Sequence, residues 1–162
     1  MNAAKIEDEI KKAALAAGFE LAGIATVGDF PELARFPEWI AAGRAGEMKY
    51  LQARDERGQL RRASLQAAFP WARSVIVCAV NYNTAQPYST AVNNPGRGWI
   101  SRYAWSREDY HDSVLRRVRE VETKVRELSA GEAPIETRSY VDTGPLVERV
   151  YARYAEIGRA HV

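Results

Sequence analysis

The chain has 162 residues, a formal net charge of +2, 46% apolar and 27% charged residues, and a single cysteine. That balance is ordinary for a globular domain long enough to build its own core, and no apolar run approaches the ~20 residues that span a bilayer. One cysteine excludes an intrachain disulfide and any thiolate-built cluster within these residues, and so small a charge makes no case by itself for nucleic acid.

Residues 1–9 are acidic and helical in character, without the basic and apolar regions of a signal peptide, so a cytoplasmic location and no membrane contact are expected. Ile6, Ile10, Ala13, Ala14 and Ala17 recur at helical spacing and predict an amphipathic helix over 3–17, with Gly18 as its C-cap. Residues 19–25 alternate as a short strand. Pro31 and Pro37 stand at helix-start positions and predict two short helices across 30–40. After a loop at 43–46, a further helix is expected over 47–57. Phe69-Pro70-Trp71 breaks the chain before residues 74–80, a β-branched, continuously apolar run that predicts a strand covered on both faces. The lone Cys78 lies inside that run and reads as a small buried hydrophobe.

Residues 81–98, rich in Asn, Pro, Gly, Ser and Thr, predict a long irregular loop of the kind that is often functional. Ser106-Arg107-Glu108-Asp109 opens a helix that runs to Leu128 on an apolar face of Val114, Leu115, Val118, Val121, Val125 and Leu128. Gly131 and Pro134 end it, residues 135–141 form a further strand candidate, and Pro145 opens a last helix. The fold class is α/β: a mixed sheet flanked by helices.

No GxGxxG, P-loop, HExxH or metal-spaced Cys/His cluster is present, and no metal ligand is assigned. Two segments concentrate polar and aromatic groups. Residues 98–111 hold Trp99, Arg102, Tyr103, Trp105, Arg107, Tyr110 and His111 ahead of an amphipathic helix. Broad rings with polar tips suit a large planar ligand, and they equally suit a packed core with a capped helix. In residues 138–149 a strand would deliver Asp142 to its C-terminal edge before Thr143-Gly144-Pro145 turns. Asp142 is then either the cap of the next helix or a general acid, and residue types alone leave both open. Two arginine clusters, Arg54, Arg57, Arg61 and Arg62, then Arg116, Arg117 and Arg119, are either solvated faces or a phosphate-facing surface.

In order along the chain, Gly18-Phe19 with Ala22-Gly23-Ile24, then residues 46–51, 72–77 with Asn81-Tyr82, 101–104 with Asp109-Tyr110-His111, and 141–145 with Glu148-Arg149 resemble the N-terminal domain of epoxyqueuosine reductases, from about residue 5 to residue 156. The resemblance implies a nitroreductase-like corrinoid-binding domain, incomplete at its C-terminus. It implies removal of the epoxide oxygen of epoxyqueuosine at the wobble position of tRNA, giving queuosine. The cofactors implied are cobalamin, held without a protein ligand on its lower face, and two 4Fe-4S clusters that supply electrons. Asp142 takes the place of the proton donor, Arg54 that of a cobalamin contact, and Arg102, Tyr103, Tyr110 and His111 are expected around the cofactor. The partners implied are tRNA and an electron donor, for an enzyme that is monomeric when full length.

The family continues into a cysteine-rich ferredoxin-like domain, whose cluster ligands are absent from these residues, so the chain by itself is expected to be inactive. Residues 1–156 are read as part of the catalytic domain. Residues 157–162 depart from the family, and one frame of a common sequencing adapter encodes the same six residues before a stop. A non-native tail is expected there. Two rival readings are a flavin- or corrinoid-dependent small-molecule reductase of nitroreductase type and a non-catalytic RNA-binding module using the arginine clusters.

Overall fold

The computed structural model describes residues 2–131 and 134–158. Helix α1 (Ala3–Ala16) begins where the Asn2 side chain accepts the Lys5 N–H at 2.9 Å, satisfying one of the donors that a first turn leaves free. It ends at Gly18, whose φ of +89° is the left-handed stop that a side chain would resist. The chain then enters β1 (Leu21–Thr26), which pairs antiparallel with β2 (Ser74–Ala79), Leu21 opposite Ala79 and Thr26 opposite Ser74. Between the strands lie a 3-10 turn (Pro31–Ala34), α2 (Arg35–Ala41), a 3-10 turn (Lys49–Gln52) and α3 (Leu65–Ala68). After β2 a long loop carries 3-10 turns at Ser89–Ala91 and Arg102–Trp105 and leads into α4 (Tyr110–Leu128), with α5 (Glu148–Tyr154) closing the order.

The continuous apolar run of β2 has its physical reason in a sheet buried on both sides. Val75 and Val77 pack against the cluster of Ala25, Leu65, Ala72, Tyr151 and Ala155. Ile76, Cys78 and, just past the strand, Val80 pack against Ile10 and Ala14 of α1, Phe19 beyond that helix, and Val121 of α4. Alternate residues of a strand point to opposite faces, so one six-residue strand serves two cores. Burial also pushes the Cys78 thiol up to about 11, which leaves it unreactive at neutral pH. On the α5 side the approach is close enough to need a glycine: a Cβ on Gly23 would lie 2.1 Å from the Ala155 carbonyl oxygen.

Four expectations change. The sheet described is two-stranded and antiparallel rather than mixed. Residues 134–141 keep a strand's alternation, with Ile135, Thr137, Ser139 and Val141 turned inward, yet they form no ladder among the described residues. The side-chain pattern is present, but no neighbouring strand takes up the backbone groups. The helix expected over 47–57 is a short 3-10 turn followed by a hairpin. Asp55 Oδ1 accepts the N–H groups of Arg57 (3.0 Å) and Gln59 (2.8 Å), Arg54 bridges to Leu60, and Gly58 has a φ of +76°. An aspartate side chain that captures nearby N–H groups competes with the helix ladder and turns the chain. The last helix also begins later, at Glu148 rather than Pro145.

Of the expected tail 157–162, residues 159–162 lie outside the described residues, while Ile157 packs against the Tyr151 cluster. Among the described residues no helix is long and apolar enough to cross a membrane.

Candidate functional site

Segment 134–141 is held by side chains where a ladder is missing. Glu122 of α4 accepts the Thr137 hydroxyl at 2.5 Å and the Arg126 guanidinium at 2.8 Å on one oxygen, and the Ser139 hydroxyl at 2.8 Å on the other. These donors, Thr137 first, hold the Glu122 carboxyl down at about 2. Its side chain is only 22% exposed, so solvent screens the interactions little. Glu122→Ala is therefore expected to destabilise the fold by about 1.5–3 kcal/mol at pH 7, the range for hydrogen bonds to a charged group. The pH sign follows from the depressed folded value: the stabilisation is present above the ordinary value of 4.5 and is lost as pH falls from there towards about 2. Urea-unfolding midpoints measured across that window should flatten in Glu122→Gln, and an unchanged acid slope would show that the latch contributes nothing.

The latch delivers the chain to Asp142. There the Thr143 N–H donates to the Val141 carbonyl at 2.7 Å, and Asp142 has a φ of +56°. A hydrogen bond across one residue of positive φ is the rare, strained form of the γ-turn. A conformation of this kind costs about 1–3 kcal/mol and is found preferentially at functional sites. Beyond it the chain is compressed, because a Cβ on Gly144 would meet Leu146 Cδ2 at 2.4 Å and Tyr140 at 3.0 Å. Asp142 does not cap α5, which starts six residues later behind Val147 and has no side-chain cap.

Its carboxylate instead takes the Tyr110 hydroxyl on Oδ2, with His111 Nε2 at 4.0 Å from the same oxygen. That hydrogen bond pushes the Tyr110 phenol up to about 12. Tyr110 and His111 are the first residues of α4, and Asp109 caps the helix through the His111 N–H at 2.9 Å while its carboxylate also meets His111 Nδ1 at 2.8 Å. These contacts hold the Asp109 carboxyl below its usual range. Tyr103 packs edge-on against Tyr110 at 5.3 Å, and Tyr82 against Tyr103 at 6.3 Å. A row of rings thus leads to Asp142, with Tyr103 47% and Tyr82 61% exposed. Alongside lies an open cleft of about 330 Å³, bordered by His111, Leu115, Tyr140, Val141 and Thr143.

Four of the expected site residues therefore meet: Asp142, Tyr110, His111 and Tyr103. The other two serve elsewhere. Arg102 donates to Asn83 and Thr84 at 2.7–3.0 Å and to the Gln86 and Pro87 carbonyls at 2.8 and 3.0 Å, and it lies over the Tyr88 and Trp105 rings. Its guanidinium ties the 81–98 loop to the turn at 102–105, beside a second cleft of about 260 Å³ that includes Trp99 and Trp105. Arg54 donates to the Gly58 carbonyl at 2.6 Å within its own hairpin. Several members of the arginine clusters are likewise engaged within the chain: Arg62 with the Leu146 carbonyl, Arg116 with Glu108, Arg117 with the Gly18 carbonyl.

Glu148, Glu122, Arg62 and Tyr82 were not anticipated as site residues. Glu148 lies against Asp142, and burial, with Asp142's charge second, raises its carboxyl above the usual range against the pull of Arg62. The Glu148-Arg149 pair was visible in the chain, but no periodicity ties it to Asp142 across a glycine–proline turn.

The family model described as "Epoxyqueuosine reductase QueG, DUF1730" matches residues 62–143. The chain is 38% identical over 152 residues to an epoxyqueuosine reductase of Gloeobacter violaceus, covering 93% of this chain and 43% of that protein. It is 30% identical to one of Vibrio cholerae, covering 98% of this chain and 41% of the relative. Among solved structures, the crystal structure of a selenomethionine-labelled epoxyqueuosine reductase superposes with a TM-score of 0.69 at 27% identity, over 97% of this chain and 40% of the other. The chain thus spans less than half the length of the proteins it matches.

Proposed function

The chain belongs to the epoxyqueuosine reductase family, and from that membership we propose that it carries the acid side of a site that reduces epoxyqueuosine to queuosine at the wobble position of tRNA, with Asp142 as proton donor. The observation that carries this reading is the strained γ-turn that presents Asp142 to the Tyr110 hydroxyl at an open, ring-lined face. Breaking an epoxide C–O bond leaves charge on oxygen, and a carboxylic acid in reach avoids the free alkoxide. Tyr110 and His111 hold the carboxyl in place, and 54% exposure of the Asp142 side chain leaves it accessible to a substrate.

The residues fit cobalamin in two respects. Tyr103, Tyr110 and the apolar cleft wall of Leu115, Tyr140 and Val141 offer ring and aliphatic surface for a corrin edge. Asp109 and Asp142, at 2.8 and 4.0 Å from its ring nitrogens, hold the His111 imidazole, which would border the cofactor as an oriented ring. If bound there, cobalamin would supply the reducing electrons. The iron–sulfur clusters do not fit this chain: Cys78 is its only cysteine, and among the described residues no group of Cys, His, Asp or Glu could hold a metal.

The reading implies a corrinoid-binding fold of nitroreductase type, tRNA as partner, and a cytoplasmic, monomeric enzyme that needs an electron donor and residues beyond these 162. The test is conversion of epoxyqueuosine in tRNA by the complete reading frame with cobalamin and a reductant, followed by mass spectrometry of the released nucleosides. Queuosine is the expected product. Unchanged epoxyqueuosine with a fully loaded enzyme would overturn the assignment.

A further inference from the structure

Residues 81–107 hold three arginines and five aromatic rings but no aspartate or glutamate. Every residue from 81 to 101 is exposed, with Tyr88 at 60%, Trp99 at 45% and Ile100 at 70%. All three line the cleft of about 260 Å³ described above, and large apolar groups gathered at one open cleft mark a contact surface. The chain braces these rings from within. Arg102 donates to the Thr84, Gln86 and Pro87 carbonyls and lies 4.5 Å from the centre of the Tyr88 ring and 5.2 Å from that of Trp105. The Trp105 indole N–H donates to the Ile100 carbonyl at 2.9 Å, and Trp99 stands 6.2 Å from Trp105 at an interplanar angle of 30°. Rings ordered in advance lose little freedom when a ligand stacks on them.

An acid-free, arginine-bearing strip interleaved with open rings matches one class of partner, a single-stranded nucleic acid: its phosphates meet the positive charge and its unpaired bases meet the rings. A duplex hides its base faces and would meet the charge alone. The strip also leads to Asp142, because Tyr103, next to Arg102, packs on Tyr110, which donates to that carboxylate. We infer that Tyr88 and Trp99 form a stacking platform for single-stranded RNA, holding a base that neighbours the one presented to Asp142, with Arg97 against the backbone phosphates. That the RNA carries epoxyqueuosine rests on the reading above; that this strip stacks unpaired bases does not. The platform is a positioning device: a neighbour held on the rings keeps the reacting nucleoside out of the stack.

The experiment measures the affinity of the complete enzyme, by fluorescence anisotropy, for an RNA stem–loop that lacks the modification and for an RNA duplex of the same length. Trp99→Ala should weaken stem–loop binding by about 5–150-fold, the contribution of one base stacked on a ring, and Trp99→Phe should restore most of it. Duplex binding should be weaker and the same in all three proteins. Arg97→Gln should make the dependence of log affinity on log salt shallower by about 0.7, as for one phosphate contact on a single strand. Cobalamin absorption serves as the control for folding. A folded Trp99→Ala that binds the stem–loop like the unmodified enzyme would overturn the proposal, as would one that loses cobalamin and keeps its RNA. So would a loss shared equally by stem–loop and duplex. None of these results would touch the proposed reduction of epoxyqueuosine, which the product assay tests separately.

Discussion

Replacing Asp142 by Asn in the complete enzyme is expected to lower turnover by about 10²–10⁴-fold, the contribution of a well-placed acid or base. Cobalamin binding, read from its visible absorption, should stay unchanged. Asparagine keeps the size of aspartate and, like it, tolerates positive φ better than most residues, so the γ-turn around residue 142 is retained. What disappears is the transferable proton. An internal control is available at Tyr110, whose phenol is pushed up to about 12 chiefly by donating to Asp142. With the carboxylate gone, its ultraviolet titration should return towards the ordinary tyrosine value of 10. Parallel loss of cofactor binding and turnover would assign Asp142 to the architecture of the site instead of its chemistry.

Gly23→Ala is expected to give the largest loss of stability from adding a single methyl group. The new Cβ would sit 2.1 Å from the Ala155 carbonyl oxygen and 3.1 Å from the Ala155 side chain. Neither contact is made by a flexible side chain that can swing away, so β1 or the end of α5 must shift. Overpacking of a tight contact costs about 1–3 kcal/mol and occasionally more. At about 2–4 °C per kcal/mol for a domain of this size, the melting temperature should fall by several degrees. The damage should also reach the site, because α5 carries Glu148 at its other end. Gly98→Ala is the control: nothing lies within 4 Å of its Cβ direction, and its melting temperature should be unchanged. Equal melting temperatures for both variants and the unmodified chain would disprove the close α5–sheet contact.

The elements legible from the chain are those whose signal is local. The 3.6-residue spacing of Ile6, Ile10 and Ala14, and of Val114, Val118, Val121 and Val125, marks α1 and α4, and both fold as helices that share one core. The unbroken apolar run at 74–80 marks a strand with two covered faces, and the Asn-, Pro- and Gly-rich stretch at 81–98 marks a loop. The ordered blocks from Gly18-Phe19 to Glu148-Arg149 also sufficed to identify the family, because five short patterns in one order are jointly specific where each alone is weak.

What the sequence could not decide depended on partners distant along the chain. Residues 134–141 carry a strand's alternation, but a ladder needs a neighbour, and Glu122 with its hydroxyl and guanidinium partners holds the segment instead. Arg102 has the chemistry of a ligand contact, yet the carbonyls of the 81–98 loop occupy its guanidinium. Asp142 was equally readable as a cap or an acid. The structure takes it away from the start of α5 and sets it against Tyr110, 32 positions away. Periodicity and composition determine which face of an element is apolar, because those are properties of neighbours along the backbone. Which side chains finally meet is decided by how the elements pack, since only packing brings distant carboxyls and hydroxyls within hydrogen-bonding reach.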